Sequence, residues 1–395
     1  MSSLPYRRLA GFYFFYFAYI GTFAPFFSLY LQAAGHDAVA IGTLMSLPSV
    51  TRIVAPHLWG WLADRSSRGL HIVRITGAAG LVCFLGVFAG STFTLLFAAL
   101  FAMTFFWSAA LPLVEAATLT HLGDDTGRYG RIRLWGSVGF IVAVIGVGYT
   151  LDAISVRFLP WIVVGTMLGM LGSSWRIPER PPRHSTSESG ITEILRRPEA
   201  IALIVAGALM SAAHGPYYTF YSLYLVEHGY TKALTGWLWA LGVFCEIGVF
   251  LWMPKLYRAY TQRQILLASF ALAVARFLII GWAIDSFAML LLAQVLHAAT
   301  FGSFHAAAIG VVHRLFRGRH QARGQAIYGS LSFGVGGMLG GLASGYTWER
   351  LGPAWSYTWA AGCALAGLIL LWWKLHVPIE EHRAEKLVPA SRSVQ

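Results

Sequence analysis

The chain has 395 residues, 57% of them hydrophobic and 12% charged, with a mean hydropathy of +0.61, which excludes a soluble fold of this length. The formal net charge of +12 does not point to nucleic acid, because the basic residues are sorted between alternate loops as a membrane-topology signal. Cys83, Cys245 and Cys363 stand at no disulfide or metal-ligand spacing and are expected to pack as small apolar residues.

In chain order, apolar runs of about 20–25 residues predict helices over 9–32, 38–62, 70–89, 92–118, 131–151, 157–175, 199–226, 233–254, 264–284, 287–313, 322–346 and 353–374. These twelve spans define an all-α membrane protein. The first run, after Tyr6-Arg7-Arg8, is too long for a secretory signal and lacks a small-residue cleavage site, so it counts as a span. A polar, proline-containing stretch divides the chain into a six-helix bundle over 1–175, a linker over 176–198, a second bundle over 199–376 and a polar tail over 377–395. Lys and Arg number 24 in the loops on the side of the termini and 3 in the opposite set. Both termini are therefore expected in the cytoplasm, in a bacterial inner membrane.

The halves repeat each other. Gly21, Phe26, Ser28, Leu29, Tyr30 and Leu31 reappear 194 residues later as Gly215, Phe220, Ser222, Leu223, Tyr224 and Leu225. A same-sense repeat in so apolar a chain is the mark of transporters whose two bundles, related by a pseudo-twofold axis, rock around a site between them. One mismatch falls on charge: Arg52 in the first half is replaced by Glu246 in the second.

Ionisable residues inside a span cost a few kcal/mol or more, so each needs a partner, water or a solute. They are Arg52 on helix 2, Glu115 on helix 4, Arg133 one turn into helix 5, Glu246 on helix 8, Arg276 on helix 9, and His57, His214, His297 and His305. Glu115 and Arg133 lie at similar depth across a hairpin that turns near Asp124-Asp125, which allows an ion pair; alternatively Arg133 reaches the cytoplasmic surface. His297 and His305 share one side of helix 10 and suit proton handling, whereas no HExxH or similar spacing supports a metal. Helix 7 carries His214, Gly215, Pro216, Tyr217 and Tyr218, matched in helix 1 by Tyr19, Gly21, Thr22 and Pro25. Gly and Pro interrupting equivalent helices point to the central cavity. Gly337, Gly341 and Gly345 on helix 11 predict a close approach of two helices.

After helix 2 comes Gly60-Trp61-Leu62-Ala63-Asp64-Arg65-Ser66-Ser67-Arg68, which resembles the G-x-L-A-D-R-x-G-R-R loop motif of the major facilitator superfamily, with Ser67 and Gly69 as departures. The resemblance implies that Gly60, Asp64, Arg65 and Arg68 form a latch that governs the switch between outward and inward states. Arg52 is grouped with these conformational residues. Three further segments, Tyr129 to Val138, Leu238 to Glu246 and Gln294 to Phe301, resemble the phenylpropionate permease family. That likeness implies proton-coupled import of an aromatic carboxylate. The charge layout is similar to the lactose permease branch, in which a carboxylate stands three residues after the helix 10 His; this chain has Thr300.

From these readings Arg276 or Arg133 is expected to meet the carboxylate, with Tyr19, His214, Tyr217 and Tyr218 around the apolar part. Glu246 and His297, helped by Glu115 and His305, are expected to handle the proton. Sugar or nucleoside symport is the competing expectation. Drug/proton antiport is a third, against which stands the lack of a Gly-Pro pair in helix 5. No enzyme constellation is visible, and neither a cofactor nor a metal is expected. The expected partners are a small-molecule solute and protons, and the expected form is a monomer.

Overall fold

The computed structural model describes residues 4–123, 125–179 and 191–375. Asp124, the middle of the linker and the polar tail lie outside the described residues. Within them the chain is all helical, with twelve spans: α1 Tyr6–Ala33, α2 Ala38–Ser66, α3 Gly69–Phe88, α4 Phe93–Leu122, α5 Tyr129–Ala153, α6 Val156–Trp175, α7 Pro198–Glu227, α8 Lys232–Ala259, α9 Gln262–Trp282, α10 Phe287–Leu315, α11 Arg323–Leu351 and α12 Pro353–Lys374.

The helix boundaries follow local chemistry. Asp37 accepts from the Ala40 amide at 2.8 Å to start α2, and Thr261 with Gln264 forms a reciprocal capping box at the start of α9. Gly35 and Gly229, repeat mates, end α1 and α7 with φ of 91° and 83°, a region open to glycine at little cost. Ser67 ends α2 at φ 53°, so the loop motif's second glycine position is a left-handed one here occupied by serine.

Four spans depart from α geometry in their interior, while α3 ends and α6 begins with a 3-10 turn. α4 is interrupted at Ser108–Ala109, where Pro112 can offer Ser108 no amide proton, and α7 at His214, just before Pro216. α10 contains a π turn over Ala298–Ser303 and α11 another over Gly329–Val335. The interruption expected in both helix 1 and helix 7 is realised only in α7, because α1 runs through Pro25 unbroken.

Within the first half α1 packs on α5 and α6; within the second α7 packs on α11 and α12. The halves meet through α2 against α11, α5 against α8, and α1 against α7. Gly341 is one of the positions where only glycine fits: a Cβ there would stand 2.8 Å from Ser46 Cβ, so α2 and α11 approach backbone to backbone. Polar ties across the interface gather on the face opposite the termini. Gln32 donates to Glu227 at 2.8 Å, the Ala38 amide donates to Glu349 at 3.1 Å, and both oxygens of Asp152 accept from the Lys232 and Ala233 amides at 2.9 Å. Nearer the terminal face the halves share one such bond among the described residues, His57 Nε2 to Ser330 Oγ at 2.7 Å.

The linker's first residues are held by the first half. Arg8 and Arg74 donate to the carbonyls of Arg176 and Ile177, and Glu179 accepts from the Leu70 and His71 amides at 2.9 and 3.0 Å.

Candidate functional site

The break in α7 leaves His214 at the joint. Its Nδ1 is 2.8 Å from the Met210 carbonyl and its Nε2 is 3.4 Å from Nη1 of Arg276. A carbonyl can only accept and a guanidinium can only donate, so Nδ1 carries the proton and Nε2 the lone pair. Arg276 has no exposed surface. Its Nε donates to the Ala293 carbonyl at 2.9 Å, Nη1 also faces Thr300 Oγ1 at 3.3 Å, and the guanidinium lies 4.2 Å from the centre of the Tyr217 ring. Only Nη2 is without a partner, and it too is buried. Arg276, expected to meet the solute's carboxylate, is thus turned into its own half in this structure. The guanidinium is enclosed within the second half, and Thr300 supplies a hydroxyl to it.

Glu246 instead faces His297, with 2.7 Å between Oε1 and Nε2. The His297 ring stacks on Phe301 at 5.5 Å and 11°, and Phe301 stacks on His305 at 6.3 Å and 10°. The wider π turn lines up these three rings, spaced by four residues, along one face of α10. Glu246 lies within electrostatic reach of Arg276, His305 and Arg133, so charges from both halves act on one carboxylate at the chamber between the halves that the repeat architecture predicts.

On the first-half side, the guanidinium of Arg133 rests 3.9 Å from the centre of the Phe17 ring. The ion pair expected between Arg133 and Glu115 is not formed. Tyr129, one turn earlier on α5, reaches Glu115 first and donates to it at 3.1 Å, leaving Arg133 to interact with the carboxylate only through space. Tyr16 stacks on Trp107 at 5.5 Å and lies within reach of Arg52, Glu115 and Arg133.

The tyrosines divide. Tyr218 is half-buried at the chamber, stacked on His214 at 5.8 Å and Trp239 at 6.0 Å, and feels both Glu246 and Arg52. Tyr217 and Tyr19, expected to flank a solute, are packed inside their own halves in this structure. The Tyr217 hydroxyl donates to Gln294 at 3.0 Å, and the Tyr19 hydroxyl points to Met103 Sδ at 3.5 Å beside Trp107. Away from the chamber, Asp64 is exposed and has no ion pair among the described residues, while Arg65 lies over Trp61 at 5.4 Å. Gly60 has open space where a Cβ would be, and Arg68 is likewise exposed.

Sequence reasoning missed Trp107, Trp239 and Phe301. Phe301 is the 194-residue mate of Trp107, and each ring stands where the fourth span of its half departs from α geometry. The repeat itself is the signal that could have found Trp107 and Phe301, whereas the mate of Trp239 is Met45.

Residues 6–359 match the MFS_1 like family. The chain is 29% identical over 352 residues to the probable 3-phenylpropionic acid transporter of Escherichia coli strain K12, covering 88% of this chain and 92% of that one. It is also 29% identical over 369 residues to the maltose permease of Geobacillus stearothermophilus, covering 91% and 92%. Among solved structures, a point mutant of nucleoside transporter NupG superposes with a TM-score of 0.85 at 17% identity, covering 94% of this chain and all of that one.

Proposed function

The chain belongs to the MFS_1 like family, within the major facilitator superfamily, and is a twelve-span membrane transporter; from that premise we propose that it imports a small aromatic carboxylate together with protons, by alternating access. In this reading both termini face the cytoplasm of a bacterium, the bundles are 1–175 and 199–376, and the protein works as a monomer. The observation that carries the reading is the 2.7 Å Glu246–His297 contact, with Arg133 nearby having no carboxylate within ion-pair distance among the described residues.

A carboxylate solute is an anion at neutral pH, and an inside-negative potential opposes its entry by about 2.3 kcal/mol per 100 mV. At least one proton must accompany it to remove that opposition. Arg133 meets the carboxylate from its seat on Phe17, and the rings of Tyr218, Phe301 and Tyr16 take the apolar part. Glu246 and His297 hold the proton between them, and His305, two ring stacks along α10, passes it on toward the terminal face. Arg276 positions this machinery by fixing His214 and the start of the π turn.

The relative named as a maltose permease, equal in identity to the one named for 3-phenylpropionic acid, favours a second reading, a polyhydroxylated neutral solute bound through the same carboxylates. Counterflow decides between them. Proteoliposomes preloaded with 3-phenylpropionate should take up labelled 3-phenylpropionate, and Arg133→Gln should abolish this uptake; counterflow of maltose or a nucleoside without any of an aromatic acid would contradict the proposal.

A further inference from the structure

Arg52, the repeat mate of Glu246, stands at the middle of the 29-residue α2 and is exposed. It stands on a helix that packs against α11 of the other half, within electrostatic reach of Tyr16 on α1, Tyr218 on α7 and His305 on α10, residues of both halves. Among the described residues it has no ion pair, hydrogen bond or ring contact. The chamber's acids are already engaged, Glu115 by Tyr129 and Glu246 by His297. A guanidinium at membrane depth with no fixed partner is expensive, and a solute anion is what remains to meet it.

Arg133 poses the same demand from another place. α2 packs along α11 and α5 along α8, with α1 in contact with both α2 and α5, so the two arginines are carried by helices on different sides of α1, whose Tyr16 is within electrostatic reach of both. Two separated cations with aromatic surface between them match a solute that is charged at both ends.

Resting on the aromatic-carboxylate reading above, we propose that Arg52 binds a second anionic group and that the preferred solute is a two-headed acid, a dicarboxylate with an aromatic middle. Arg133 takes one carboxylate and Arg52 the other. Each added negative charge meets the same electrical opposition, so such a solute needs two protons to enter without net charge movement. Glu115 and Glu246, one carboxylate in each half, provide two places to carry them.

The probes are 3-phenylpropionate and 3-(4-carboxyphenyl)propionate, which differ by one carboxylate, measured by competition binding to purified protein. The wild type should bind the diacid about tenfold more tightly or better, the ~1.4 kcal/mol of one decade. Arg52→Gln should bring the diacid down to the affinity of the monoacid while leaving the monoacid within about twofold, and Arg52→Lys should restore part of the preference. Equal wild-type affinity for the two acids overturns the proposal, as does an equal loss of both in Arg52→Gln at unchanged melting temperature. Binding of the monoacid alone overturns the second anion site and leaves the preceding reading intact. Binding of neither acid overturns both.

Discussion

Glu246 and His297 are in direct contact at 2.7 Å, and on the proposed reading this pair is where one proton is held. Glu246→Gln keeps the side-chain shape and removes the exchangeable charge. It should abolish accumulation driven by a pH gradient and retain solute exchange, as measured by uptake and counterflow in the same proteoliposomes; full accumulation would remove Glu246 from the coupling. Arg276 is predicted to behave differently from a binding residue. Arg276→Lys loses the bond to Ala293 or the contacts to Thr300 and His214, worth about 1.5–3 kcal/mol for hydrogen bonds to a charged group. Melting temperature should fall, and charged and uncharged ligands of the same shape should weaken together; a loss confined to the carboxylate would return Arg276 to the solute. Glu246, His297 and Arg276 could be singled out in the sequence because ionisable groups stand out in apolar runs. Which face Arg276 turns was not, since a helix apolar on all sides carries no pattern that distinguishes the chamber from the bundle interior.

At the scale of elements, two clamps stand in related positions on the face opposite the termini. Asp152, at the end of α5, accepts from the first amides of α8, and Glu349, near the end of α11, accepts from the first amide of α2. Each joins a carboxylate of one half to a helix N-terminus of the other, where the helix dipole favours negative charge. At these partly exposed places the pair contributes about 1–2 kcal/mol, a factor of roughly 5–30 in the balance between closed and open. Asp152→Asn combined with Glu349→Gln should therefore open this face more often. In a background without the three native cysteines, a cysteine replacing Tyr218 should react faster with an impermeant maleimide added from that side; an unchanged rate would mean that glycine packing alone holds the gate. The spans were readable from hydropathy and the α7 break from Pro216. The π turns of α10 and α11 were not, because one extra residue per turn leaves an apolar pattern almost unaltered. Nor were the clamps, since the partners lie 80 or more residues apart.

For the whole molecule, closure on one face and a single cross-half hydrogen bond nearer the other among the described residues fit the proposed alternating-access cycle at one of its ends. Asp64, proposed as part of a latch on the terminal face, is exposed and without an ion pair among the described residues. Asp64→Asn should slow the cycle, seen as a several-fold drop in uptake rate, with solute affinity within about threefold. A collapse of binding with normal cycling of the residual activity would make Asp64 a solute contact. The two-bundle architecture was visible in the 194-residue repeat and the sorting of basic residues, whereas the direction in which the chamber opens depends on small differences between packed states that no local pattern records. The central claim, proton-coupled import of an aromatic carboxylate, is tested most directly by uptake of labelled 3-phenylpropionate into proteoliposomes with and without an imposed pH gradient, acidic outside. The account predicts accumulation above equilibrium only with the gradient, abolished by a protonophore; uptake that merely equilibrates whether or not the gradient is present would contradict it.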